Sequence, residues 1–234
     1  MGIGDYSTFS SASELHKKAE QAREEEKFDQ ALDLIQKAIE NYEKEKNYEG
    51  LSRAIQSRAL TYKHLLLLSN DQKYLDLAGK DAEESLIIAK NYNLTNVFSS
   101  CYFRLGEIAM LVKDFKKAIK NYQQALVSYN GTSAEKGDYR YHLGEALYRN
   151  GDKEKGKEMI LQGLKEIQGN SAEVDSFLIH VWESGCYIRL ADLLRDDEPE
   201  KAKKYLQKAK QISESDEKLI IRRRQIRGLS KLFN

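Results

Sequence analysis

The sequence predicts an all-α protein built from repeated helical hairpins, and three observations support this fold class. Proline occurs once in 234 residues, at Pro199, so long helices are tolerated almost everywhere. The segment at 101–108, CYFRLGEI, recurs at 186–193 as CYIRLADL, which is an internal repeat. Small residues also recur in pairs along the chain, at the spacing that brings them onto one face of a helix.

The second helix of each predicted hairpin carries two small residues seven positions apart. The pairs are Ala31 and Ala38, Ala82 and Ala89, Ala118 and Ala125, Gly156 and Gly163, and Ala202 and Ala209. A larger residue lies between the members of each pair on the same face, as Ile35, Tyr122 and Ile160 do. We expect this face to be buried, because small residues let two helices approach closely.

The best-defined copy of the repeat combines two short motifs. Its first helix reads Leu105-Gly106-x-x-Ala109, and its second reads Phe115-x-x-Ala118-x-x-x-Tyr122-x-x-Ala125. This pattern resembles the tetratricopeptide repeat (TPR), over about residues 12 to 214 and most specifically between 97 and 165. The resemblance implies an α-solenoid of about five TPR-like helical hairpins, with long-period, divergent repeats and a C-terminal capping helix.

The expected organisation is a short disordered leader at 1–11, a repeat array at 12–214 and an amphipathic basic capping helix at 215–234. The five repeats are expected at 12–47, 49–92, 95–130, 134–169 and 172–214. Their intervals exceed the usual period of about 34 residues, so the excess must lie in longer helices or loops. Ser133 and Ser171 are candidate helix caps, and Pro199 suits the first turn of a helix.

Composition restricts the classes of function. The formal net charge is +1, from 38 basic and 37 acidic residues, so no global field favours nucleic acid or membrane. No apolar run approaches the roughly 18 residues of a membrane span, and the N-terminus lacks the pattern of a secretory signal. Cys101 and Cys186 occupy equivalent apolar positions and are expected to be reduced and buried. These features predict a cytoplasmic protein.

Catalysis and cofactor binding have little support in the sequence. The four histidines, His16, His64, His142 and His180, fall in four different repeats without the spacing of metal ligands. There is no glycine-rich phosphate loop and no Gly-x-Ser-x-Gly motif. We therefore expect no enzyme activity, no metal and no cofactor.

The candidate functional residues follow from the resemblance, since the first helices of TPR hairpins line the groove that holds a partner. Positions flanking the Leu-Gly pair at helical spacing are predicted to be exposed there. They are Phe103, Arg104, Glu107, Tyr141, Glu145, Tyr148, Ile188, Arg189 and Asp192. The predicted function is a protein-protein interaction module, a scaffold or regulatory sensor, that binds a peptide or helical segment.

The predicted groove has an apolar row and an acidic row, one helical turn apart. Phe103, Tyr141 and Ile188 form the first, and Glu107, Glu145 and Asp192 the second. Such a surface suits a partner segment with apolar anchors and basic residues. The alternative is that the aromatic residues pack against a neighbouring helix and the acids are merely solvated.

The C-terminal segment is a second candidate, because it combines a basic run with apolar residues at helical spacing. Its simplest role is to cap the array and cover the last apolar face. The alternative function is association with nucleic acid or an anionic membrane. The residues that would do so are Arg222, Arg223, Arg224, Arg227 and Lys231. A further alternative, from the resemblance to long-repeat members of the family, is a peptide-sensing regulator.

Overall fold

The computed structural model describes residues 11–233, except for the side chain of Glu173, and throughout this range the protein is all-α without β-strands. The predicted leader, residues 1–11, therefore lies outside the described residues except for Ser11. The chain divides into two compact units. The first contains residues 11–23 and 27–92 of the described chain, and the second contains residues 24–26 and 93–233.

The first unit is formed by two helical hairpins. Its helices are α1 (Ala12–Glu24), α2 (Phe28–Lys44), α3 (Tyr48–Ser69) and α4 (Lys73–Asn91). Helix α3 has 22 residues and α4 has 19, and only residues 70–72 connect them. Asn70, in the left-handed region at φ 56°, ends α3. The long interval of the second repeat thus lies in longer helices.

The predicted small-residue face forms the core of the first unit. Ala31, Ala38, Ala82 and Ala89 have no exposed surface. A partly buried ion pair adds to this packing, because the Arg58 guanidinium donates to both carboxylate oxygens of Asp81 at 2.8 Å. The pair joins α3 to α4, and its two-point geometry holds the helices in register.

The second unit contains three helical hairpins and a last helix. Its α-helices are α5 (Phe98–Leu111), α6 (Phe115–Val127), α7 (Ser133–Arg149), α8 (Lys153–Gly169), α9 (Ser176–Leu193), α10 (Pro199–Ser215) and α11 (Ile220–Ser230). Short 3₁₀ helices at Thr95–Val97 and Ser171–Glu173 precede α5 and α9. The residue limits predicted for the individual repeats stay a prediction.

Glycines bring α7 and α8 into close contact. A Cβ on Gly144 would lie 2.6 Å from the carbonyl oxygen of Gly156, and one on Gly137 would lie 2.5 Å from that of Gly163. Such distances are incompatible with any side chain, so the helices must move apart to accept one. The expectation that small residues allow close helix approach is confirmed at these positions.

Helix ends agree with the sequence at some positions and differ at others. Pro199 lies in the first turn of α10, as expected. Ser133 was the wrong cap for α7, because the Thr132 side chain accepts the hydrogen bond from Glu135 N. Ser171 was also wrong, since α9 begins after Asp175, whose carboxylate accepts from Phe177 N at 2.9 Å. Asp and Thr both satisfy free amides at a helix start, so local pattern alone does not choose among neighbours.

The last helix caps the array, as predicted. Helix α11 packs against α9 and α10. It buries Ile221, Ile226 and Leu229 and so covers the apolar face left by the last hairpin. Among residues 11–233, every helix is too polar or too short to serve as a membrane-spanning segment.

Candidate functional site: the first-helix face of the second unit

All nine predicted groove residues lie on α5, α7 and α9, whose shared side we call the first-helix face. The apolar row of this face is buried. Phe103 of α5 stacks on Tyr139 of α7 with ring centroids 4.4 Å apart and meets His142 edge-on at 4.9 Å. Tyr141, Tyr148 and Ile188 are buried as well. The expectation of exposed anchors was therefore wrong, because these side chains pack against neighbouring helices.

Tyr141 is buried because it packs against Gly185 of α9, where the absence of a side chain leaves room for the tyrosine ring. The tyrosine is 1% exposed, and its Oη lies 2.6 Å from the position that a Cβ on Gly185 would occupy. Burial raises the pKa of the Tyr141 hydroxyl well above its ordinary value. Gly185 was not identified from the sequence, since it lies outside the repeat's small-residue positions.

The acidic row is paired with arginines of the same chain. Glu145 Oε2 accepts from Arg189 Nε at 2.5 Å, and its Oε1 accepts from Arg149 Nε at 3.0 Å. Arg149 Nη2 also donates to Asp192 at 2.7 Å. Glu107 pairs with Arg104 one turn away on α5. We expected these acids to be open to basic residues of a partner. For Glu107 and Glu145 this expectation was wrong, because each is buried and paired with an arginine.

The ionisation of Glu145 reflects two opposing effects. Burial raises the pKa of its carboxyl, but Arg189 and then Arg149 outweigh burial and leave this pKa below its ordinary value. Glu145 is therefore ionised at neutral pH, and two helices are joined through one carboxylate. Acidification through its folded-state pKa removes that stabilisation.

Asp138 is the most perturbed acid of this face, and the sequence did not single it out. Burial is the largest cause, Glu107 adds to it, Arg222 opposes it, and the pKa of Asp138 rises to about 7. His142 Nε2 lies 3.8 Å from its Oδ1. A carboxyl with this pKa is close to half-protonated at neutral pH, so the charge of the face depends on pH near neutrality.

Three of the five basic residues of the C-terminal segment are partly buried. Arg223 donates to the carbonyl oxygen of Ser213 in the last turn of α10 at 2.8 Å and to those of Asp216 and Glu217, just after the helix, at 2.9 and 2.5 Å. Arg222 and Arg224 are partly buried, whereas Arg227 and Lys231 are exposed. Binding of nucleic acid or anionic lipid by this segment stays a prediction, now carried mainly by the two exposed residues.

Both cysteines of the chain are buried. Burial raises the pKa of the Cys186 thiol well above its ordinary value, so the thiolate needed for nucleophilic attack is disfavoured. Cys101 is also a buried free thiol. Across the described part of the chain, no three histidine, cysteine or carboxylate side chains are grouped as metal ligands would be.

Comparison with known proteins supports the fold. No family model matches the sequence, and no curated protein matches it. Two crystal structures of a Podosopora anserina putative kinesin light chain with nearly identical TPR-like repeats, one of a substituted form, are both 14% identical to this chain. The substituted form covers 85% of this chain and 92% of its own length, with a TM-score of 0.56. The other covers 86% and 95%, with a TM-score of 0.55.

A third solved structure gives the same result. BtubC (BKLC) from P. vanneervenii is 18% identical, covers 88% of this chain and 92% of its own, and has a TM-score of 0.51. Together with the helical hairpins described above, these likenesses place the chain in the class of TPR-like helical-repeat folds.

Proposed function

We propose that this protein is a non-enzymatic interaction module of the cytoplasm, an adaptor or a regulatory sensor, that binds a peptide or helical segment on the first-helix face of its second unit. The observation that carries the proposal is the arrangement of guanidinium groups on that face. The carboxylate of Glu145 is buried between Arg189 and Arg149, while Arg149 keeps 34% of its side chain exposed. The face therefore offers oriented cations to a partner.

Orientation of these arginines favours binding. A free arginine loses rotamer freedom when it binds, whereas one already bonded to a carboxylate has lost much of that freedom beforehand. Arg149 is bonded on two sides, by Glu145 and Asp192, and Arg189 is bonded to Glu145. Arginine is also over-represented among the residues that dominate binding energy at interfaces.

The proposed partner chemistry follows from which atoms are accessible. Arg104, Arg189 and Asp192 are the predicted groove residues that keep exposed surface, with Arg149 and Arg195 beside them. The arginines suit carbonyl or carboxylate oxygens of the partner segment, and Asp192 suits one basic residue. We call Arg104, Arg149, Arg189 and Asp192 the rim. Phe103, Tyr141 and Glu145 lie beneath the rim, support it and do not contact the partner.

Photo-crosslinking in the source cell extract tests the proposal. A photoreactive phenylalanine replaces Arg195, beside the rim, and as a matched control replaces the exposed Glu158 on α8. We expect a discrete protein adduct from position 195 that is absent from position 158. The adduct yield should fall about tenfold with Arg149→Ala, which removes the ion pairs with Glu145 and Asp192, and circular dichroism establishes that this variant is folded.

Two results would contradict the proposal. Folded protein that gives no protein adduct at position 195 would exclude the first-helix face as the binding surface. An adduct with nucleic acid in place of protein would assign the module to another class of partner.

A further inference from the structure

The net charge of +1 conceals a strong asymmetry along the sequence. Residues 1–92 carry 13 basic and 17 acidic side chains, a net charge of −4. Residues 93–234 carry 25 basic and 20 acidic side chains, a net charge of +5. Residues 93–234 are therefore cationic, although Glu24, Glu25 and Glu26 also belong to the second unit and reduce the net charge of that unit to +2.

Lysine on the second helices accounts for this excess. Helices α6, α8 and α10 contain 12 lysines, five glutamates and no arginine or aspartate. The arginines of the unit lie instead on its first helices, in the connection after α9 and in α11, where several make buried or partly buried bonds. The second helices thus carry lysine as their only cation, whereas the arginines lie elsewhere in the unit.

Helix α6 has the highest positive charge per residue of the three, with a net charge of +3 over 13 residues, whereas α10 carries +3 over 17 residues. Helix α6 carries Lys116, Lys117 and Lys120, all exposed, and it has no acidic residue. These lysines have no ion-pair partner among residues 11–233. Two of them lie in the first turn, where a positive charge opposes the helix dipole. Neither packing nor helix stability therefore accounts for them.

An exposed apolar residue continues the same side of α6. Lys116, Lys120 and Val127 are spaced by four and seven residues, which aligns them along one helical face. Val127 is 80% exposed, the highest value among the large apolar side chains described as exposed. The α6 face, defined by these three residues and Lys117, thus combines cations with one apolar position.

The residue types select among anionic partners. Lysine is a hydrated point charge that pairs with carboxylates and with phosphates, and these helices lack arginine, whose fork binds either anion at two points. Binding of single-stranded nucleic acid also uses exposed aromatic rings for stacking. The aromatic side chains of α6, α8 and α10 are Phe115, Tyr122 and Tyr205, and each is buried or partly buried. The lack of exposed aromatic rings favours an acidic protein segment over single-stranded nucleic acid.

We propose that the α6 face is a docking site for an acidic protein segment that carries an apolar residue next to its carboxylates. The three lysines attract and hold the carboxylates, and Val127 contacts the apolar side chain. The site lies on a second helix and is independent of the proposed function on the first-helix face, so either can fail without the other.

The test measures fluorescence anisotropy of a labelled oligoglutamate peptide containing one leucine, at low ionic strength and at about 150 mM salt. The full chain is compared with Lys116→Glu/Lys117→Glu/Lys120→Glu. The matched control, Lys17→Glu/Lys18→Glu/Lys90→Glu, makes the same change in net charge at exposed lysines of the first unit. Circular dichroism establishes that each variant is folded.

We expect the α6 variant to bind the peptide at least about tenfold more weakly and the control to change affinity by less than about twofold. Val127→Ser should weaken binding of the leucine-containing peptide severalfold but leave an all-glutamate peptide unaffected. Equal loss in the control would overturn the proposal, because net charge alone would then explain binding. So would absence of binding at low salt, or tighter binding of single-stranded DNA of equal charge.

Discussion

The first and second helices of the second unit use positive charge in different ways. On the first helices, Arg104 and Arg189 are bonded to the buried carboxylates of Glu107 and Glu145. On the second helices, lysines such as Lys116 and Lys120 are exposed. Side chains with the same formal charge thus have different roles. Desolvated, paired charges fix the positions of helices, whereas hydrated charges are available to solvent and to partners.

The largest expected effect is on the first-helix side. Arg189→Met removes the main partner of a buried carboxylate, so we expect a loss of roughly 3 kcal/mol or more in the free energy of unfolding. The matched change on the second helices, Lys120→Met, should alter stability by less than about 0.5 kcal/mol. Chemical denaturation of both variants measures the difference, and similar values for the two would break the comparison.

A pH-dependent effect is expected at Asp138, whose pKa of about 7 exceeds its ordinary value of about 4. The folded state then holds the proton more tightly than the unfolded state. The acid's contribution to stability is full below pH 4 and declines as pH rises to about 7. Asp138→Asn cannot ionise, so it should match the wild type near pH 4 and be more stable by roughly 2–4 kcal/mol at pH 8.

Thermal unfolding between pH 4 and pH 8 measures this effect. The titratable and charged groups around Asp138 are Glu107 of α5, Glu135, Tyr141 and His142 of α7, Cys186 of α9 and Arg222 of α11. Glu135→Gln serves as a control, because it removes a neighbouring charge and leaves the carboxyl in place. Parallel pH profiles for Asp138→Asn and the wild type would show that this carboxyl is not the source of the pH dependence.

A smaller effect distinguishes two arginines of the same helix. Arg223→Ala removes bonds to three carbonyl oxygens at the end of α10, and we expect a loss of about 1–2 kcal/mol. Arg227→Ala removes an exposed charge and should change stability by less than about 0.5 kcal/mol. Equal losses in denaturation experiments would mean that the three bonds contribute little.

The smallest effect has the opposite sign. Lys116→Gln/Lys117→Gln removes positive charge from the first turn of α6, where it opposes the helix dipole, so stability should rise by about 0.3–0.5 kcal/mol. Differential scanning calorimetry at low salt measures the shift in melting temperature. A clear decrease would indicate that these lysines stabilise the fold, which would weaken the argument that they serve a partner.

Much of the fold could be predicted because local pattern determines which residues share a helical face. Ala118, Tyr122 and Ala125 were expected on one buried face of α6, and all three are buried. The candidate site was less predictable. Phe103 and Tyr141 lie on the expected side of their helices, but they are buried. Helical spacing does not determine how closely the next helix packs, so it could not predict this burial.

The sequence by itself determined the all-α repeat fold, because small residues at fixed spacing and the near absence of proline are local constraints on helices and their packing. Only the tertiary structure decided which charges are paired and which are available. Arg189 and Glu145 are 44 residues apart in sequence and 2.5 Å apart in space. Their pairing depends on the distance between packed helices, and that distance is set by contacts such as Tyr141 against Gly185, which no local pattern contains.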